Sequence, residues 1–268
     1  IYKLFFEEND NILLLVNGEG GIGKTTLAAA YFHEYQNKYQ HLAWVFAETG
    51  ILSALLSLSI SLKLEFSPTT SSEERLNLLL REMSNLKKPC LLIIDNANDI
   101  TEVEKYEQKL RKCPNFHLLL TSRINECKDI VCYKIKALED KKAKTLFKKH
   151  YPKLKDTELP ILEQILTEIG NNTLVIELLA KSLRQKNRLK QDYQLKALYE
   201  DLQTKGLFQL KTDKKVDTDW YDRKASPEEV IAAMYDLQKL TKQEQLLLSN
   251  LSVLPAEYLP YELLEPLL

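Results

Sequence analysis

The chain has 268 residues, 44% hydrophobic and 28% charged, the profile of a soluble globular protein with one large domain or two to three small ones. Its 37 basic and 38 acidic side chains leave a net charge of −1, which argues against a chain-wide electrostatic grip on nucleic acid. No signal peptide, lipidation motif or long apolar span is present. The oiliest stretch, 51–64, is broken by four serines and Lys63, so a cytoplasmic protein with no membrane partner is expected. The four cysteines form no CxxC pair and have no histidines at metal-ligand spacing. Reduced thiols are expected, with Cys90 and Cys132 as small buried hydrophobes. The chain begins at Ile1 without methionine and stops at Leu268 inside an apolar pattern, so it reads as a piece of something longer.

Through residue 137, short apolar strands alternate with helical segments, the pattern of an α/β fold with a parallel sheet. Strands are expected at 12–16, 42–46, 90–94, 116–121 and 131–135, their near-continuous hydrophobic runs suiting strands covered on both faces. Helices are expected at 24–37, 51–64, 72–86 and 101–112, the third opened by hydroxyl caps and the early acids Glu73 and Glu74. After Leu138 the strands stop. Helical periodicity at 140–150, 158–169 and 174–185, punctuated by Pro152 and Gly170, predicts a helical subdomain over 138–225. The five lysines between 141 and 149 read as a solvated helix face. Residues 206–224 have no period and receive no assignment. A helix start at Ser226 and a capping box at Thr241 and Glu244 open a third, truncated subdomain over 226–268.

Gly18-Glu19-Gly20-Gly21-Ile22-Gly23-Lys24-Thr25 matches GxxxxGK[ST] at every specified position, between an expected strand and an expected helix. Glycines let main-chain N–H groups approach phosphate oxygens, and the helix N-terminus adds partial positive charge. Lys24 meets the β/γ-phosphates as a point charge, and the Thr25 hydroxyl is a ligand for Mg²⁺. The ligand implied is a nucleoside triphosphate, ATP before others. The buried strand 91–94 ends in Asp95 at the carboxyl edge, where ligands of open α/β sheets sit, and Asp95 is a second Mg²⁺ anchor. The next position, where many P-loop ATPases place a water-orienting carboxylate, holds Asn96, an amide that cannot act as a base. Asp99 either substitutes for it or N-caps the following helix. Strand 116–121 leads into Arg123, placed to reach a γ-phosphate.

These elements, in this order, resemble the NB-ARC/AP-ATPase branch of the STAND class of signal-transduction ATPases, across residues 10–185. Gly20 through Ala28 is similar to the family's glycine-rich start. Ile93-Ile94-Asp95-Asn96-Ala97 looks like its Walker B segment in the form common among bacterial members, and Leu120-Thr121-Ser122-Arg123 like its sensor 1. Gly170-Asn171-Asn172-Thr173-Leu174 aligns with its Gly-Leu-Pro-Leu motif, with Thr173 where the family's proline packs near adenine. The resemblance implies a P-loop NTPase with a five-stranded parallel sheet, strand 116–121 lying between 12–16 and 90–94, then a helical bundle and the start of a winged helix.

It also implies roles. Gly18, Gly20, Gly21, Ile22, Gly23, Lys24, Thr25 and Thr26 form the phosphate cradle, and Arg123, Thr173 and Leu174 are further nucleotide contacts. Thr25 and Asp95 hold Mg²⁺, and Lys24, Asp95, Asn96 and Arg123 govern a weak hydrolysis of ATP. The expected behaviour is an ATP/ADP switch that assembles as a homo-oligomer on activation. It would serve signalling or defence, joined to an N-terminal effector and a C-terminal sensor for an unidentified trigger, with no nucleic-acid binding by these residues themselves. A STAND-type transcription regulator and a stand-alone metabolic ATPase or kinase are the alternatives, and Asn96 argues against the last.

Overall fold

The structure, a computed structural model, describes residues 1–7, 13–189, 193–205, 216–218 and 221–225. The chain divides into two compact units, Ile1–Ala180 and Lys181–Leu268. In the first, five strands form one sheet: β1 (Leu13–Asn17), β2 (His41–Phe46), β3 (Cys90–Asp95), β4 (Phe116–Ser122) and β5 (Val131–Lys134). Their order is β2-β3-β4-β1-β5, and every pairing is parallel. The fourth strand therefore lies between the first and third, as the resemblance implied, with Leu15 level with Leu120 and Ile94 also level with Leu120.

The three central strands are apolar at successive positions because both their faces are covered. Alternation sends Leu13, Leu15, Leu92, Ile94, Leu118 and Leu120 to one face. There they meet α3 (Ile51–Ser61), α4 (Ser72–Ser84) and α5 (Ile100–Leu110) through Leu55, Leu76, Leu79, Val103 and Tyr106. Leu14, Val16, Leu91, Ile93 and Leu119 point the other way, toward α1 (Tyr2–Phe6) and α2 (Lys24–Tyr35), among Phe5, Ala28 and Tyr31. The two outer strands depart from the expectation of full cover. β5 leaves Val131 and Tyr133 exposed and Cys132 only half-buried, and Phe46 of β2 is 59% exposed. Each has a neighbour on one side only. Cys90 is buried as expected, together with Cys113 and Cys127, and all four thiols are free.

The short α1 gives no periodic signal in the sequence and is fixed by rings. Phe5 stacks on His117 at 4.7 Å, and Phe6 meets the same imidazole edge-on at 4.7 Å. Tyr39 Oη bonds His117 Nδ1 at 2.9 Å, and burial pushes the imidazole down to about 4, so it is neutral at neutral pH. Helix starts follow local chemistry. Ser71 accepts from the Glu74 N–H while Glu74 accepts from the Ser71 N–H, a reciprocal capping box for α4. Asp99 N-caps α5, accepting from the Thr101 and Glu102 N–H groups.

Three helices follow β5: α6 (Asp140–His150), α7 (Leu159–Glu168) and α8 (Thr173–Leu189), the last crossing the boundary between the units. In the second unit, α8 continues from Lys181, and α9 (Leu195–Lys205) buries Leu195, Leu198 and Leu202. Asn187 Nδ2 donates to the Tyr193 carbonyl at 3.1 Å, and the Tyr193 hydroxyl donates to Asp201 at 2.6 Å. Within the unassigned stretch 206–224, β6 (Val216–Thr218) pairs antiparallel with β7 (Tyr221–Ala225). The expected winged-helix opening, 226–268, lies outside the described residues. Among the described residues, no helix is long and apolar enough to cross a membrane.

The doubly covered sheet sets a stability contrast. Leu92→Ala, at a fully buried position of β3, is expected to destabilise the fold by about 2–5 kcal/mol. Ile60→Ala, at a side chain 83% exposed on α3, should stay within about 0.5 kcal/mol of the parent. Urea unfolding of both variants checks the pair.

Candidate functional site

The carboxyl ends of β1, β3 and β4 meet at one edge of the sheet. β1 ends at Asn17, residues 18–23 form a loop, and Lys24 begins α2. Gly23 is the N-cap of α2 at φ +109°, a conformation that strains any side chain, and no side-chain group caps the helix. The first-turn N–H groups of α2 are thus left to a ligand or solvent. Gly18 answers to space as well as to conformation: a Cβ there would stand 3.1 Å from Ile22 Cγ2 and 3.2 Å from the Ile135 carbonyl. The Lys24 ammonium folds back over the loop and donates to the Gly18 and Glu19 carbonyls, both at 2.8 Å.

Across from the loop, Asp95 ends β3 and is 3% exposed. The Thr25 hydroxyl donates to its carboxylate at 3.0 and 3.2 Å, and the Thr121 hydroxyl of β4 donates to the same group. Thr121 Oγ1 in turn accepts from the Asn96 N–H at 2.9 Å, so one hydroxyl fixes both the acid and the residue after it. Asn96 sits at φ +66°, and its Oδ1 accepts from Asn98 Nδ2 at 2.6 Å. Asn98 Oδ1 accepts from the Arg123 N–H at 2.8 Å, and the Ser122 hydroxyl donates to the Ala97 carbonyl at 2.5 Å. The segments after β3 and β4 are thereby stapled together. The Asp99 carboxylate accepts from its own helix's first-turn N–H groups and from the Thr101 hydroxyl at 2.6 Å, the capping alternative among the two readings of that residue.

The charges are balanced tightly. Burial raises the Asp95 carboxyl above its usual range, opposed by the bonds from Thr121, Thr25 and the Asn96 N–H and by the Lys24 charge. Burial also lowers the Lys24 ammonium to about 8; the Arg123 charge adds to that, while Asp95 and Glu19 oppose it. Two cations, Lys24 and Arg123, and two carboxylates, Asp95 and Glu19, therefore interact at this edge.

The first turn of α8 reaches the same loop. Gly170 and Asn171 both have positive φ, and the Asn171 N–H bonds the Leu166 carbonyl at 3.0 Å, which closes α7 and turns the chain. Asn172 then caps α8, its Oδ1 accepting from the Leu174 and Val175 N–H groups at 3.1 and 3.3 Å. Its Nδ2 donates to the Gly20 carbonyl at 3.1 Å. The Thr173 hydroxyl donates to the Ile22 carbonyl at 3.1 Å, and the Leu174 N–H to the Gly21 carbonyl at 3.0 Å.

Lys24, Thr25, Asp95, Thr173 and Leu174 are thus gathered around one loop, with the Arg123 charge within reach of Lys24. Asn96 belongs to the same edge, but its carboxamide oxygen is engaged within its own turn. Thr121, Asn98 and Asn172 lie in or beside segments with motif character but were given no role of their own; each bonds a residue far away in sequence. The donor set fits a polyphosphate with a divalent cation. A hydroxyl and a carboxylate oxygen 3.0 Å apart are hard oxygen donors of the kind Mg²⁺ takes, beside an ammonium and an uncapped helix N-terminus.

The NB-ARC domain family matches residues 1–156. No protein with a curated description matches the sequence. Among solved structures, Drosophila ORC bound to DNA superposes with a TM-score of 0.52 at 13% identity, over 95% of this chain and 83% of that one. The Aeropyrum pernix ORC1 protein in complex with DNA gives 0.51 at 13% identity, over 99% and 73%. A STAND protein with a tetratricopeptide repeat sensor from Pyrococcus horikoshii gives 0.45 at 18% identity, over 97% of this chain and 35% of that one. With a glycine-rich loop, a buried acid at the neighbouring strand end and a family match over more than half its length, this chain belongs to the NB-ARC domain family.

Proposed function

We propose that the chain is an ATP/ADP switch: it binds Mg²⁺-nucleotide at the loop 18–25, hydrolyses ATP slowly, and assembles as a homo-oligomer in its ATP state. The observation that carries this is the convergence of Lys24, Thr25 and the buried Asp95 at one sheet edge, with Asn96 as the next residue. In this reading residues 1–137 form the nucleotide domain and 138–225 a helical subdomain. An effector and a sensor elsewhere in the same protein would supply output and trigger. Signalling in defence is the setting supported by family resemblance.

The division of labour follows from the residues. Lys24 exchanges two neutral carbonyl partners for phosphate oxygens, a charge-assisted contact. Thr25 and Asp95 would hold Mg²⁺, which when bound neutralises the β- and γ-phosphate oxygens. Thr121 keeps the Asp95 carboxylate aimed, and Arg123 is the candidate reporter of the γ-phosphate. Asn96 offers no base, and losing general-base help costs about a hundredfold to ten-thousandfold in rate. A switch tolerates that loss, because only a difference in affinity between two arrangements shifts its equilibrium.

Lys24→Ala is expected to weaken nucleotide binding by about a hundredfold, as for loss of one ~3 kcal/mol charged contact, with the chain still folded. Calorimetry returning parental affinity would remove the assignment. Nucleotide affinity should also fall with rising pH. The ammonium at about 8 in the folded chain lies below its ordinary 10.5, so above pH 8 the loop must take up a proton to bind a polyanion. The slope approaches about tenfold per pH unit and vanishes in Lys24→Ala. Without nucleotide the sign reverses: between about 8 and 10.5 the unfolded chain holds the extra proton, so this group makes the fold more stable as pH rises. Calorimetry in buffers of different ionisation enthalpy reads the proton uptake directly.

Asn96→Asp is expected to speed steady-state hydrolysis while leaving assembly in a non-hydrolysable ATP analogue unchanged. Light scattering in ADP and in the analogue reads the assembly. Fast turnover by a monomer indifferent to nucleotide would favour a metabolic ATPase instead.

A further inference from the structure

The P-loop carbonyls of Gly20, Gly21 and Ile22 are each held by one residue of a single helical turn: Asn172, Leu174 and Thr173 respectively. Two of these donors are side chains, and neither is required to build α8. The Asn172 cap uses Oδ1, leaving Nδ2 for the loop, and a hydroxyl at the first helical position is not needed for the turn. Asn172 is only 8% exposed, so its amide has little solvent to turn to.

Peptide geometry gives these bonds a consequence. In a trans peptide the C=O of one residue and the N–H of the next point in opposite directions. Fixing the carbonyls of 20, 21 and 22 toward α8 therefore turns the N–H groups of Gly21, Ile22 and Gly23 away from it. The Ile22 N–H makes a long turn bond of 3.4 Å to the Glu19 carbonyl; the loop's remaining orientation comes from its carbonyl side. A glycine-rich loop with Gly23 at φ +109° has many other conformations open to it.

We propose that the first turn of α8 is a strap that preorganises the P-loop, with Asn172 and Thr173 as positioning residues that set its affinity for a polyphosphate without touching the phosphates. Thr173, standing where the resemblance expects proline, gains a function from that departure: its hydroxyl donates to the loop, which a proline side chain cannot do. The affinity part of the proposal rests on the nucleotide-binding reading above; the ordering of the loop does not.

The experiment uses the whole chain with Thr173→Val, Thr173→Ser and Asn172→Ser, the last keeping an N-cap acceptor for α8 while removing the donor to Gly20. Two readouts are taken: hydrogen exchange of loop amides 20–24 without nucleotide, and calorimetric affinity for Mg²⁺-ADP and Mg²⁺-ATP. Thr173→Val and Asn172→Ser should each speed loop exchange and weaken binding about three- to tenfold, the loss of one net hydrogen bond. Thr173→Ser should restore both to within about twofold of the parent, which a packing role for the threonine methyl would not give. Parental loop exchange in both donor-deleted variants overturns the strap whatever the affinities. Faster exchange with unchanged affinity overturns its effect on binding. A parent chain that binds no nucleotide removes the functional reading, while the exchange data still decide the strap.

Discussion

Because β4 lies between β1 and β3, three strand ends that are remote in sequence meet at one edge, and the polar chemistry of the molecule follows from that placement. Thr121 is the hinge of the arrangement. One hydroxyl donates to Asp95 and accepts from the Asn96 N–H, so the acid, the residue after it and the strand carrying Arg123 share one bonding scheme. A buried carboxylate costs free energy unless it is satisfied. Here it is satisfied from two sides, by Thr25 of the loop's own helix and by Thr121 of the intervening strand. Were β1 paired directly with β3, neither Thr121 nor Arg123 would stand beside the loop.

The same logic explains why the loop needs a second support. A cradle that offers N–H groups inward must send its carbonyls outward, and those carbonyls need donors of their own. Lys24 takes two of them and α8 takes three. Those two sets of bonds differ in what a polyanion does to them. In the proposed binding step the ammonium leaves neutral carbonyls for phosphate, whereas the amide and hydroxyl of α8 are uncharged and keep theirs.

The central strands were legible because burial on both faces writes a continuous apolar run, and 90–94 and 116–121 each fell within one or two residues of the observed bounds. The edges were less legible. Residues 131–135 look equally oily, yet β5 pairs on one side and leaves Val131 and Tyr133 exposed, a fact set by topology. α1 has five residues, too few for a period, and depends on rings contributed by β4 and the segment around Tyr39. In the site, Lys24, Thr25 and Asp95 carry a motif because phosphate chemistry fixes their type and spacing. Asn172 lies inside a segment aligned with a family motif, but nothing there pointed to the loop: its partner Gly20 is 152 residues away, and an asparagine before a helix is fully explained by capping until the contact is seen.

Asn96 shows how the sequence and the structure bear on one residue differently. From its type alone it lacks a base, which says only what it cannot do. Its conformation adds that φ is +66°, a region asparagine tolerates better than most side chains, and that Oδ1 is tied to Asn98, which in turn holds the Arg123 N–H. The amide at this position therefore does structural work of its own, joining the turn after β3 to the segment after β4. A carboxylate in its place would keep an acceptor for Asn98 Nδ2, so the turn itself does not demand an amide. What an aspartate would add is a second negative charge next to Asp95, whose carboxyl burial already raises above its usual range. Like charges disfavour each other's ionisation. The gain in rate expected of Asn96→Asp is therefore net of what a second negative charge costs the ionisation of Asp95.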